Sequence, residues 1–142
     1  MSVEENLKVI KAVDEASASR DWEAFASHHT EDVISYSPMR PEPTKGITAH
    51  REVVQGLYNT FPDAKLTRDQ IFGQGDWAYV GYTLTGTHKG PLQGPGGKTI
   101  PPTNKSVKIP LGSALRFEKG KIAEEHIFFD RLTMLAQLGV TT

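Results

Sequence analysis

The sequence predicts an α+β domain in which a cone-shaped, curved antiparallel sheet packs on three N-terminal helices. Three observations carry that expectation. Apolar residues recur at helical spacing as far as Phe61, and from Lys65 onward they alternate with polar ones instead. Short glycine-containing stretches join the alternating runs, which is the local signal of hairpins. No internal repeat or linker breaks the 142 residues, so residues 1–142 read as one domain of ordinary size. Helices kept to one side of an antiparallel sheet define this class, and a strongly bent sheet leaves a conical pocket between the layers.

The elements follow in order. Val3, Leu7, Ile10 and Val13 mark a first helix, with acidic residues in its first turn where the helix dipole favours them. DWEAFASHH reads as a short second helix with Asp21 as its N-cap. VISYS alternates as a strand, and the three prolines of SPMRPEPTKG make the next stretch a loop. A third helix starts at Gly46 or Thr48, repeats Val53, Leu57 and Phe61, and stops before Pro62. KLTRDQIFGQ and WAYVGYTLTGTH form a hairpin. The Gly/Pro-rich stretch from His88 to Lys105, including GPGGK, reads as a flap beside the pocket mouth. SVKIPLGSALRFE and KIAEEHIFFD pair across a turn in which Gly120 supplies positive φ, and Pro110 with Gly112 suggests a bulge or bend in the first of them. RLTMLAQLG closes the chain as a short helix with Leu132, Leu135 and Leu138 on one side, Asp130 as N-cap and Gly139 as C-cap.

Composition narrows the function classes. A net charge of −1 gives no reason to expect nucleic acid or an anionic membrane as partner. With no cysteine, disulfides, thiol nucleophiles and thiolate-bound zinc are excluded. No apolar run resembles a signal peptide or membrane span, so the cytoplasm is the default location. His28 and His29 are adjacent and His50 and His88 lie far off, so no spacing in the sequence marks a metal site. GPGGK lacks the pattern of a phosphate loop, and Ser113 has no nucleophile elbow around it.

The last strand is unusual. Both of its alternation phases mix charge with apolar side chains: Ile122, Glu124, His126, Phe128 and Asp130 against Ala123, Glu125, Ile127 and Phe129. One of them has to face the pocket.

Nearly the whole chain resembles the SnoaL-like polyketide cyclases of the nuclear transport factor 2-like, ketosteroid-isomerase-like superfamily. The resemblance rests on DWEAF, EDVISYSP, KGITAHREVVQGLYNTFPD, GTHKGPL, PPTNKSVKI, LRFEKGKIAEEH and LAQLG, in that order and spacing. It implies that an acid/base aspartate stands on the last strand, with a histidine two residues earlier. Counted back from QLG, those positions hold Ile127 and Glu125, so the aspartate is absent and the histidine has become a glutamate. By the same resemblance Glu125, Ile127 and Phe129 face the pocket, joined by Ser113 and Leu111 from the preceding strand.

Glu125 is therefore the leading candidate for moving a proton, with desolvation expected to raise its pKa. Tyr36, where relatives place a polar pocket residue, is expected to polarise a carbonyl oxygen, and Tyr82 to line the pocket. His126 suits a subunit interface or a structural role. The implied function is a cyclase- or isomerase-type enzyme acting on a small apolar carbonyl compound. No cofactor is required, because enolisation needs only a placed base and an oxyanion donor. The alternative is a non-catalytic binder of a small hydrophobic ligand, Ile127 having replaced the acid/base. A homodimer formed through the outer face of the sheet is the expected assembly.

Overall fold

In the computed structural model, which describes residues 2–94 and 97–140, helix α1 (Val3–Ala18) starts at Ser2. The Ser2 hydroxyl accepts from the Glu5 amide, one of the four otherwise unpaired donors of a helix start. Helix α2 (Trp22–Ser27) is capped in the same way by Asp21, whose carboxylate accepts from Ala24 N at 3.1 Å. It is shorter than expected. His29 belongs to strand β1 (His29–Tyr36) rather than to the helix, and this places its ring inside the molecule. A two-residue strand β2 (Thr44–Lys45) follows, then helix α3 (Ile47–Thr60).

The remaining strands are β3 (Lys65–Gln74), β4 (Trp77–Thr87), β5 (Leu92–Gln93), β6 (Thr99–Ile100), β7 (Ser106–Glu118) and β8 (Lys121–Phe128), and helix α4 (Arg131–Gln137) ends the fold. The main sheet runs β2-β1-β8-β7-β4-β3. All its neighbours are antiparallel except β1 and β8, which pair in parallel with Tyr36 opposite His126. That pair departs from the all-antiparallel expectation. It arises because β1 precedes the long α3–β7 connection and adds to the far side of β8, where the chain returns in the same direction.

Register shifts at Arg68/Gln70, Arg116/Phe117 and His29/Ile34 bend the sheet, as bulges do. The extra residue of the β7–β8 pair is Ala123 of β8, opposite Arg116/Phe117, and β7 keeps an unbroken register with β4 through Pro110. Pro110 is tolerated because β8 pairs only as far as Gly112, so it lies where β7 has a strand on one side alone. Lys119 and Gly120 both take positive φ, 50° and 79°, the geometry of a two-residue turn matched to strand twist.

Two apolar clusters hold the layers together. Ile10 of α1 packs with Val33, Val80, Leu115, Phe117 and Ile122, and Phe61 packs with Leu84, Val107, Ile109, Met134 and Leu138. Leu132 does not join them. At 60% exposure it points away from the Leu135–Leu138 side of α4. The excursion from His88 to Lys105 is pinned at its base: His88 N donates to Lys105 O at 2.9 Å, and Lys89 and Gly90 both donate to Thr60 O. A Cβ on Gly90 would collide with the Asn59 carbonyl, so only glycine lets the segment dock on the end of α3. Its tip carries the β5–β6 pair, which the sequence did not announce; within GPGGK, Pro95 and Gly96 lie outside the described residues. No helix among the described residues is long and apolar enough to cross a membrane.

Two carboxylates tie loops to elements. Asp63 accepts from Thr87 N and Thr87 Oγ1 at 2.7 and 2.8 Å, and Asp130 caps α4 through Leu132 N, Thr133 N and Thr133 Oγ1. These bonds, to Thr87 and to Thr133 above all, hold both groups below the ordinary 3.8. A depressed folded-state pKa stabilises fully above the unfolded value and stops doing so as pH falls through the lowered one. The urea midpoint is therefore expected to drop on acidification below 3.8, and to drop less in the Asp63→Asn, Asp130→Asn double variant. Equal acid sensitivity in the two proteins would remove this account.

Candidate functional site

Between the helices and the concave face of the sheet lies a cavity of about 990 Å³. α1 contributes Ile10, Val13, Asp14 and Ser17, and α3 contributes His50, Val53 and Leu57. From the sheet come Tyr82 of β4, Leu111 and Ser113 of β7, and Glu125 and Ile127 of β8, with Phe129 just beyond the strand. From Glu125 onward the inward phase of the last strand is thus the one that contains Glu125, while the extra residue at Ala123 lets Ile122 of the other phase line the cavity too.

Tyr36 is not part of it. It stands 40% exposed on the outer face, its ring stacked at 4.5 Å and 7° on His126. Its neighbour Ser35 takes the inward position, since adjacent strand residues face opposite sides. Tyr36 therefore cannot polarise a carbonyl in this cavity.

Two polar stations interrupt the apolar wall. At the first, Ser113 Oγ donates to Glu125 Oε2 at 3.1 Å, and His50 Nε2 stands 3.2 Å from Glu125 Oε1. The histidine contact is a close approach without the alignment of a hydrogen bond. His50 Nδ1 lies 3.2 Å from Ser35 Oγ, which fixes the ring from behind. His29 completes the group: its Nδ1 donates to Phe25 O at 2.8 Å, and its ring centroid is 5.1 Å from that of His50.

Burial alone would push the Glu125 carboxyl up, as the sequence led us to expect. The adjacent His50 imidazole, helped by His29 and Ser113, outweighs that and holds the group below its ordinary 4.5. Burial, and then the neighbouring His50, bring His29 down to about 4, so its ring is neutral at physiological pH.

At the second station Tyr82 donates its hydroxyl to Asp14 Oδ1 at 2.6 Å, while Arg68 Nη1 holds Asp14 Oδ2 at 2.7 Å. Burial raises the Asp14 carboxyl and outweighs both of those hydrogen bonds. It raises the Tyr82 phenol as well, with Asp14 adding to the effect. The charge of Glu125 contributes to both shifts, so the two stations sense each other across the cavity.

The family model of the SnoaL-like polyketide cyclases matches residues 7–138. The chain belongs to the SnoaL-like polyketide cyclase family. No curated protein sequence matches it closely enough to count as a relative. Among solved structures, AclR of Streptomyces galilaeus, described provisionally as a hydroxylase, is 25% identical over 97% of this chain and 98% of its own, with a TM-score of 0.81. IdmH of Streptomyces antibioticus, described provisionally as a polyketide cyclase, is 27% identical over 95% and 99%, with a TM-score of 0.76. A SnoaL-like protein from Jannaschia sp. CCS1 shares 19% identity over 99% and 95%, with a TM-score of 0.86, and so speaks for the fold alone.

Three site residues of this SnoaL-like chain escaped the sequence reading. His50 sits on the inward stripe of α3 with Val53, Val54 and Leu57, at spacings of three, four and seven. Asp14 sits likewise on α1, four residues after Ile10. A titratable residue on an otherwise apolar helical stripe was the available signal in both. For His29 the signal was strand phase, shared with Val33 and Ser35, hidden by the apparent helical run through HH.

Proposed function

We propose that this SnoaL-like protein moves a proton on a small, largely apolar carbonyl compound in a cofactor-independent, cyclase- or isomerase-type reaction. The observation that carries the reading is a carboxylate set into an apolar cavity and oriented from two sides, by Ser113 and by His50. Glu125 takes a proton from the carbon next to a carbonyl. The C–H electron pair becomes the C=C bond of an enolate, and negative charge moves onto the oxygen. That oxygen sits against the Tyr82–Asp14 pair, where the Tyr82 hydroxyl, held by Asp14 and kept protonated by burial, is the donor that turns to it. Return of the proton at another carbon completes an isomerisation; attack of the enolate carbon on a second carbonyl closes a ring.

A lowered pKa keeps Glu125 in its base form but makes it a weak base. It is matched to a carbon acid made unusually acidic, such as one flanked by two carbonyls. The test is deuterium exchange at the central carbon of an aryl-substituted β-keto ester, followed by NMR with and without protein. Catalysed exchange above the buffer rate is the expected result; exchange at the buffer rate alone overturns the reading.

Ile127 favours a second reading. It lines the cavity where the family's acid/base aspartate is expected, as it would in a binder of a hydrophobic ligand that has given up catalysis. Saturable binding of the same ester without any exchange would establish it.

The assembly we propose is a homodimer through the outer sheet face. Tyr36, His126 and Phe128 form a stacked row there with Trp77 beside it, and Phe128 is 57% exposed. Phe128→Asp is expected to convert a dimer into a monomer in sedimentation experiments without loss of helical circular dichroism. A wild-type protein already monomeric at the same concentration would end this proposal.

A further inference from the structure

We propose that His29, His50 and Glu125 form a binding site for a late first-row divalent cation such as zinc. One ligand atom from each of the three lies within 4.8 Å of the others. They come from the start of β1, the first turn of α3 and the middle of β8, so the fold alone brings them together.

Each group is oriented from its far side. His29 Nδ1 gives its proton to Phe25 O, which leaves the lone pair of Nε2 turned inward. Ser35 Oγ holds His50 through Nδ1, and Ser113 holds Glu125 through Oε2, which frees Nε2 and Oε1. Metal-binding imidazoles carry such a partner on the other nitrogen, because it fixes both tautomer and ring angle.

The independent observation is His29 itself. It is 3% exposed, and its Nε2 has no hydrogen-bond partner among the described residues. Buried polar atoms are almost always paired, so a lone pair left open beside two other ligand-type atoms points to an occupant. Two imidazoles and one carboxylate suit zinc and its neighbours and ill suit magnesium or calcium, which take oxygen ligands. Tetrahedral coordination at 2.0–2.1 Å sets donor atoms roughly 3.3 Å apart. His50 and Glu125 already meet that at 3.2 Å, and the widest pair closes by about 1.5 Å. The remaining coordination positions open toward the cavity, which His50 and Glu125 line.

The site uses the lone pair that Glu125 would offer to a substrate. A loaded protein is therefore closed to proton transfer by Glu125, and the cation acts as an inhibitor of that reaction. Binding itself does not rest on the proton-transfer reading and can be measured without any substrate.

The experiment takes untagged protein stripped with chelator and titrates it with Co²⁺, watching the visible ligand-field bands, and with Zn²⁺ by calorimetry. One equivalent is expected, with Mg²⁺ giving none. Glu125→Gln and His29→Gln should each weaken binding by more than the ~10–100-fold that loss of an outer partner costs. His28→Gln and His126→Gln should leave it unchanged. On wild-type protein, which sidesteps any folding defect in the variants, Zn²⁺ should shift the imidazole NMR signals of His29 and His50 and spare those of His88 and His126. No stoichiometric binding, binding retained in Glu125→Gln, or shifts confined to other histidines each overturns the site. β-Keto ester exchange by metal-free protein is scored separately, so either proposal fails without the other.

Discussion

Glu125→Gln is expected to slow deuterium exchange of the β-keto ester by ~10²–10⁴-fold, the usual worth of a positioned general base. Glutamine keeps the shape of the side chain and can still accept from Ser113 Oγ, now 3.1 Å from Glu125 Oε2. It lacks only the capacity to take a proton. The contact of the carboxylate with His50 is lost as well, but that histidine is 1% exposed and fixed by Ser35, so the pocket keeps its walls. Affinity for the ester should therefore change less than tenfold while the exchange rate collapses. This split between binding and rate separates a catalytic carboxylate from one that merely holds the sheet to α3. A purely structural Glu125 would show lowered thermal stability and proportionate losses in both. Exchange at the wild-type rate in the variant would dismiss Glu125 as the base, whatever the fate of ligand binding.

How far the site could be foreseen follows from the range of the forces that make it. Alternation along β8 did not decide its phase, because both phases mix charge with apolar side chains; the family resemblance supplied it, and Glu125, Ile127 and Phe129 line the cavity with Ser113, Leu111 and Tyr82. The caps were legible because capping is local: Asp21 and Asp130 act on amides within three residues. The environment of Glu125 was not. Its pKa is set by His50, seventy-five positions earlier in the sequence, and local reading supplied only the desolvation half of the balance. Tyr36 failed for a different reason. The family resemblance supplied a polar position without a phase, and the phase belongs to Ser35. The parallel β1–β8 pair was equally out of reach, since it depends on where the whole β3–β7 block leaves the chain.

Phe61→Ala should lower stability by ~3–5 kcal/mol, the cost of removing a buried aromatic from a packed core. Phe61 is 2% exposed and joins the end of α3 to Leu84, Val107 and Ile109 on the sheet and Met134 and Leu138 on α4. Its Cβ would lie 3.0 Å from a Cβ built on Gly86, so strand and ring are in contact with no slack to fill the space left behind. Collapse around the site is further limited because the ring borders the cavity, which is already hollow. For a chain of 142 residues such a loss lowers the melting temperature by about 10–20 °C. Leu132→Ala, a truncation in the same neighbourhood at 60% exposure, should stay within ~0.5 kcal/mol. The comparison tests where the core lies: similar melting temperatures for the two variants would mean that α4 and the end of α3 do not dock on the sheet as described. A ligand that enters the enlarged cavity of Phe61→Ala at a hundred times its dissociation constant should restore ~2.7 kcal/mol. That recovers most of the loss, and it should do so only for compounds that reach the Phe61 end of the cavity.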